Sequence, residues 1–350
     1  MLSALVSVSS LSLSDEEKRW LEKYQPAGVS LFARNIRDAD QLRRLTGEIR
    51  AAAGRDDILI AVDQEGGRVR RLSGSDFHPA ASQYVLGQLD EEMAAAHAEI
   101  ISNDLRRTGI NFNFSPVLDM AYPATHPVLK SRCFGSSEQK TALLGKAMIS
   151  AYLSNGVCPC IKHMPGHGRA ETDPHLGLPV LNNALPELAK YFYPFTENND
   201  CPAGMTAHIV VSAVDDRLPV TLSKKAIDYL IRGLINFNGL LISDAIDMKA
   251  LNGSVGEKAA AVIAAGCDLV CYCGGKSDDL AMLAENCPQA SDRTLERLQT
   301  VYEVIARPDK PLDTVLTDRY YRAVGLVEEY DETYDATEVL NRMQKGNDAR

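Results

Sequence analysis

Ile58-Leu59-Ile60-Ala61-Val62-Asp63-Gln64-Glu65-Gly66-Gly67-Arg68 runs from a short β-type segment straight into a polar, glycine-containing loop. The same change of character recurs along the chain. Ala4–Val8, Val29–Ala33, Ile58–Val62, Asn111–Val117, Val157–Lys162, Gly204–Val210, Gly239–Ser243 and Asp268–Cys273 all read as strands. Their spacing is too long for hairpins, and amphipathic helical stretches fill the gaps, which is the pattern of parallel α/β units. Eight such strands predict a single (β/α)8 TIM-type barrel, with catalytic groups just past the C-terminal ends of the strands.

The connecting segments carry helix signals. Ser14-x-x-Glu17 reads as a capping box, with Trp20, Leu21 and Tyr24 on the turns that follow. Leu42, Leu45 and Ile49 recur at helical spacing between Asp38 and Gly54, a glycine suited to ending a helix. Helical patterns also fill 85–108, 137–155, 184–193, 223–235 and 258–266. The barrel is expected over residues 1–312. Beyond Arg307-Pro308-Asp309-Lys310-Pro311 the pattern weakens, predicting a short helical, partly flexible C-terminal extension over 313–350.

Composition excludes several classes of function. With 37 Lys+Arg against 47 Asp+Glu the formal charge is −10, and no basic block offers a nucleic-acid footprint. The longest apolar stretch, near 260–273, is broken by Gly266 and Asp268 and falls short of the ~18 residues a membrane span needs. Met1–Ser14 lacks a basic leader region, so the chain reads as a mature cytoplasmic protein. Eight cysteines lie in apolar runs and read as buried reduced thiols.

Polar residues gather where a barrel would place its site: Asp63 to Arg68, Asp119, Lys162-His163, His208 and Ser243-Asp244. Taken singly, each acid reads equally well as a helix cap. The stretch Lys162-His163-Met164-Pro165-Gly166-His167-Gly168-Arg169-Ala170-Glu171-Thr172-Asp173-Pro174-His175-Leu176-Gly177-Leu178-Pro179 holds three of the seven histidines, three glycines and three prolines, and so reads as a long irregular loop. Within it Asp173 can orient and charge-stabilise His175, as a general acid/base requires. His163 and His167 have the i, i+4 spacing of zinc ligands, but Pro165 and Gly166 oppose a helix between them.

At these residues the chain resembles the glycoside hydrolase family 3 β-N-acetylhexosaminidases. The matching segments are 61–69, Ser115-Pro116-Val117-Leu118-Asp119, Arg132-Cys133-Phe134-Gly135, the 162–179 loop, Met205-Thr206-Ala207-His208 and Ile242-Ser243-Asp244. The resemblance implies that Asp244 is a nucleophile and His175 the acid/base, with Asp173 its partner. It assigns sugar binding to Asp63, Arg71, Arg132, Lys162 and His163, with no metal and no cofactor. The implied reaction is retaining removal of terminal β-linked N-acetylglucosamine from 1,6-anhydro-N-acetylmuramic acid and its peptides, in cytoplasmic peptidoglycan recycling. The implied partner is thus a small carbohydrate, met by a monomer. Two positions depart from the family pattern: Pro174 replaces a serine, and Ala245-Ile246-Asp247 alters the residues after Asp244, making Asp247 a second candidate for its role. Three other readings stand beside this one. They are a metal-dependent hydrolase using His163, His167, His208 and Asp244, a non-catalytic sugar-binding barrel, and a β-glucosidase of the wider family.

Overall fold

The computed structural model describes residues 1–122, 125, 127–167 and 178–329. Eight strands form its barrel: β1 (Leu2–Ser7), β2 (Pro26–Leu31), β3 (Leu59–Val62), β4 (Phe112–Asn113), β5 (Cys158–Met164), β6 (Ala203–Thr206), β7 (Leu240–Ala245) and β8 (Leu269–Cys271). Each pairs in parallel with its sequence neighbours, and β1 meets β8 through Ala4 opposite Val270 and Leu5 opposite Cys271, so the sheet closes. Parallel neighbours need crossovers, and the helices supply them on the outside.

Local sequence explains the helix ends. Ser14 and Glu17 form the expected capping box at the start of Asp15–Tyr24. Asp38 caps Ala39–Ala53, and Gly54 ends it at φ +64°, a left-handed conformation that costs glycine little. Ser137 and Ser254 cap Glu138–Ser154 and Val255–Ala265 in the same way.

Five strands are shorter at their C-terminal ends than the pattern suggests, β1 by one residue, at Ser7, β8 by two, at Cys271, and β2, β4 and β6 besides. The β2 strand stops at Leu31, and Ala33–Asn35 turn tightly. The β6 strand stops at Thr206, and Val210–Val211 pairs with Val180–Leu181 outside the barrel. In β4 only two residues join the ladder, because asparagine side chains take over the pairing. Asn111 accepts from the Ile60 N–H at 2.8 Å and donates to the Ile58 carbonyl at 3.0 Å, and Asn113 clasps both backbone groups of Gln64.

Inside the barrel Leu59, Phe112, Cys160, Ala203, Ile242 and Leu269 pack as one cluster, closed below by Leu298, Val301 and Ile305 of the helix Asp292–Ile305. All eight cysteines are free and buried. No described helix is long and apolar enough to cross a membrane. Past residue 312, the helix Thr314–Val324 lies against the helix Glu91–Arg107 and buries Tyr320 completely.

Candidate active site

A cavity of about 500 Å³ opens at the C-terminal ends of the strands. Asp63, Arg71, Arg132, Lys162, His163 and Asp244 all line it. They come from β3 and the loop after it, the segment after β4, the end of β5, and β7. Asp173 and His175 lie outside the described residues, as does Pro174. His167 and Asp247 also line the cavity, together with Phe32, Arg34 and Cys273.

One wall is a charge-compensated network. Lys162 Nζ lies 2.7 Å from a carboxylate oxygen of Asp63 and 2.7 Å from one of Glu65. Arg132 donates to both oxygens of Glu65, at 2.9 and 2.8 Å, the paired geometry that suits a guanidinium. Arg71 approaches the other oxygen of Asp63 at 3.7 Å. Burial pushes the Glu65 carboxyl up, but Arg132 and Lys162 outweigh it and hold the group well below the usual carboxylate range. Burial likewise pulls Lys162 and Arg132 down, and the carboxylates beside them raise both above their ordinary values. The wall therefore stays ionised, and its N–H donors are fixed in place for hydroxyl oxygens.

Asp119 organises the floor. Its carboxylate accepts from His163 Nδ1 at 2.7 Å, which places the proton of a neutral His163 on that nitrogen, and from the His167 backbone N–H at 2.5 Å. The rings of His163 and His167 meet edge to face with centroids 5.3 Å apart. Burial lowers the His167 imidazole to about 4, and its buried Nδ1 has no hydrogen-bond partner among the described residues. Thus His167 is neutral at pH 7 and offers a lone pair or an N–H to the cavity.

Asp244 lines the same cavity from the C-terminal end of β7. Its Oδ1 accepts from the Ala245 N–H at 2.7 Å. Burial pushes this carboxyl up, while the His208 and His163 imidazoles and the Ala245 amide pull it down, and the balance lies at about 2. Asp244 is a carboxylate throughout the physiological range. Asp247 is different, because burial raises its carboxyl despite a 2.9 Å bond from the Cys273 N–H.

His208 serves this strand as a brace. Its Nδ1 contacts Thr221 Oγ1 at 2.8 Å and its Nε2 donates to the Ala245 carbonyl at 3.0 Å. Both ring nitrogens are occupied, which removes His208 from the ligand set of the metal-dependent alternative. Among the described residues no three His, Cys, Asp or Glu side chains are placed to share a metal ion.

Sequence reasoning passed over Glu65 as a charge partner and Arg34 altogether. Arg34 donates to Val8 O, Ser7 Oγ and Cys273 O, tying the β1, β2 and β8 ends together beside the cavity. Glu65 lay within a quoted motif, but nothing local to it names Arg132 as its partner.

A closed parallel barrel whose mouth holds an ionised carboxylate and a wall of fixed donors is built for a glycoside hydrolase. The model of the glycosyl hydrolase family 3 N-terminal domain matches residues 2–304. The β-hexosaminidase of Bordetella avium is 32% identical over 332 residues, covering 91% of this chain and 92% of that one. The β-hexosaminidase of Chromobacterium violaceum is 34% identical over 307 residues, covering 84% and 85%. Among solved structures, NagZ from Neisseria gonorrhoeae in complex with N-trifluoroacetyl-D-glucosamine superposes with a TM-score of 0.82 at 28% identity, covering 93% of this chain and 98% of that one. The chain belongs to glycoside hydrolase family 3, among its NagZ-type β-N-acetylhexosaminidases.

Proposed function

We propose that the protein is a retaining exo-β-N-acetylglucosaminidase that removes terminal β-linked N-acetylglucosamine from peptidoglycan turnover fragments, including the disaccharide with 1,6-anhydro-N-acetylmuramic acid and its peptides. The observation that carries the reading is the ionised Asp244 sharing one sugar-sized cavity with the Asp63–Lys162–Glu65–Arg132 wall. A glucosamine derivative bound to the gonococcal NagZ supports the choice of sugar. Eight free, buried thiols suit a reducing compartment, and we assign the enzyme to the cytoplasm as a monomer.

In the first step an Asp244 oxygen bonds to the anomeric carbon as the glycosidic bond breaks. The proton of the His175 imidazolium passes to the leaving oxygen, while Asp173 holds the ring. In the second, water attacks the same carbon, its proton returns to His175, and Asp244 is released with net retention. Lys162, Arg132 and Arg71 donate to the sugar hydroxyl oxygens and His163 Nε2 accepts from one hydroxyl, with Asp63 accepting from those at the non-reducing end. No metal is required by this sequence of bonds.

The test is release of 4-nitrophenol from its N-acetyl-β-glucosaminide, with and without EDTA, beside the β-glucoside and an Asp244→Ala control. Turnover of the first glycoside alone, indifferent to EDTA and reduced on the order of 10⁴-fold or more in the variant, is expected. Inactivity on both sugars, or loss with EDTA, overturns the reading.

A further inference from the structure

The helix Thr314–Val324 lies beyond residue 304, where the match to the family domain ends, yet it reaches toward the sugar-binding wall. Its Tyr320 is fully buried. The Ala81 N–H donates to the Tyr320 hydroxyl at 3.0 Å, and that hydroxyl contacts His97 Nδ1 at 2.8 Å. On the other side of the ring, His97 Nε2 lies 3.0 Å from the Glu65 carbonyl. Only one assignment of protons satisfies every group. A carbonyl can only accept, so Nε2 carries the imidazole proton. Nδ1 is then an acceptor, and the tyrosine O–H must donate to it. Burial lowers His97 to about 4, so the ring is neutral and this tautomer is the one present at pH 7.

Glu65 is the carboxylate that holds Arg132 and Lys162. Its backbone belongs to a short hairpin, Gln64–Gly66 paired with Val69–Arg70, packed so tightly on the 80–82 segment that it tolerates no side chain at Gly66. A Cβ there would lie 2.1 Å from Ala81 O and 2.8 Å from the His97 ring, at a φ of +103°. Gly67 N–H donates to the Ala80 carbonyl at 2.8 Å. The C-terminal segment grips the same strip of chain at other points. Tyr321 donates to Pro79 O at 3.0 Å, Ser82 donates to Glu329, and Gln88 donates to the Glu328 carbonyl.

We infer that Tyr320 is a positioning residue for sugar binding, acting through His97 on the Glu65 main chain and so on Lys162 and Arg132. The inference rests on the proposed function for its substrate. Asp244 stands on β7, outside this relay, so the relay governs how tightly the sugar is held and not how fast the bond breaks. The relay's Tyr320 lies beyond the residues that the family model matches, and the described end of the chain is therefore part of the site.

The experiment is Tyr320→Phe, which keeps the ring and removes the hydroxyl, beside Val301→Ala at the opposite, lower end of the barrel as a packing control. KM and kcat are measured on 4-nitrophenyl N-acetyl-β-glucosaminide, the Kd of N-acetylglucosamine by calorimetry, and Tm for each. Tyr320→Phe is expected to raise KM and Kd about 3–10-fold, the equivalent of one hydrogen bond, with kcat changed less than about twofold. Val301→Ala is expected to lower Tm without moving KM. In a His97→Ala background, Tyr320→Phe is expected to add nothing further, since the relay is already cut. Unchanged KM and Kd in Tyr320→Phe, equal KM shifts in it and the control, or full additivity with His97→Ala overturns the inference. A wild-type enzyme inert on the glycoside refutes the proposed function instead, and the calorimetric Kd still decides the role of Tyr320.

Discussion

Replacing Glu65 by Gln keeps the shape of the side chain and deletes the charge on which two buried cations depend. The Glu65 and Lys162 side chains are each 2% exposed, and Arg132 only 12%, so water cannot take the place of the lost carboxylate. Asp63 remains beside Lys162, but Arg132 loses its only carboxylate partner within ion-pair distance among the described residues. Removing one member of a buried ion pair costs about 3–5 kcal/mol, because the partner is left charged in a poor solvent. At about 2 °C per kcal/mol, the low end for large domains, Tm should fall by about 6–10 °C at pH 7. The pH dependence gives an independent check. Glu65 is depressed in the folded state, so its stabilisation is present above the unfolded carboxyl value near 4.3 and is lost as pH falls below it. The Tm gap between wild type and Glu65→Gln must therefore narrow as thermal melts are taken from pH 7 to pH 3, while KM for the N-acetyl-β-glucosaminide rises at pH 7. A Tm change under about 2 °C, or a gap that widens in acid, would refute this account of the wall.

His175→Ala should lose about 10²–10⁴-fold in kcat/KM on a disaccharide substrate, whose leaving oxygen needs a proton, and much less on the 4-nitrophenyl glycoside; equal losses on both would remove His175 from the acid/base role. His97 and His167 are both held near 4 by burial, below the ordinary value near 6.5, so the unfolded chain binds protons that the folded one does not between those values. Stability should fall as pH drops from about 6.5 to 4, and His97→Gln should melt lower than wild type at pH 7 but lose less over that window. A parallel loss in both proteins would show that His97 does not titrate as its burial dictates.

Much of this was legible in the chain because the signals are local. Ser14 and Glu17 cap a helix from three residues apart, Asp38 and Gly54 bracket another, and each strand is a contiguous run that ends in polar residues. Six of the eight proposed site residues reach one cavity because each lies on or after the C-terminal end of a strand, and the barrel gathers those ends at one mouth. The strand ends were less legible. Asparagine side chains that replace ladder bonds, at Asn111 and Asn113, look in sequence like more strand.

The chain by itself determined the number and order of the strands, the helix caps and the motifs from Asp63 to Asp244, since spacing and residue type within a few positions carry that information. Closure of the barrel decided the rest. It joined Glu65 to Arg132 across 67 residues, braced the Ala245 carbonyl with His208 across 37, and brought Tyr320 to His97 across 223. Partners so far apart leave no mark on each other's neighbourhoods in one sequence. What makes each of them matter is burial: a charge or polar group shut away from water must find its partner within the fold, wherever in the chain that partner lies.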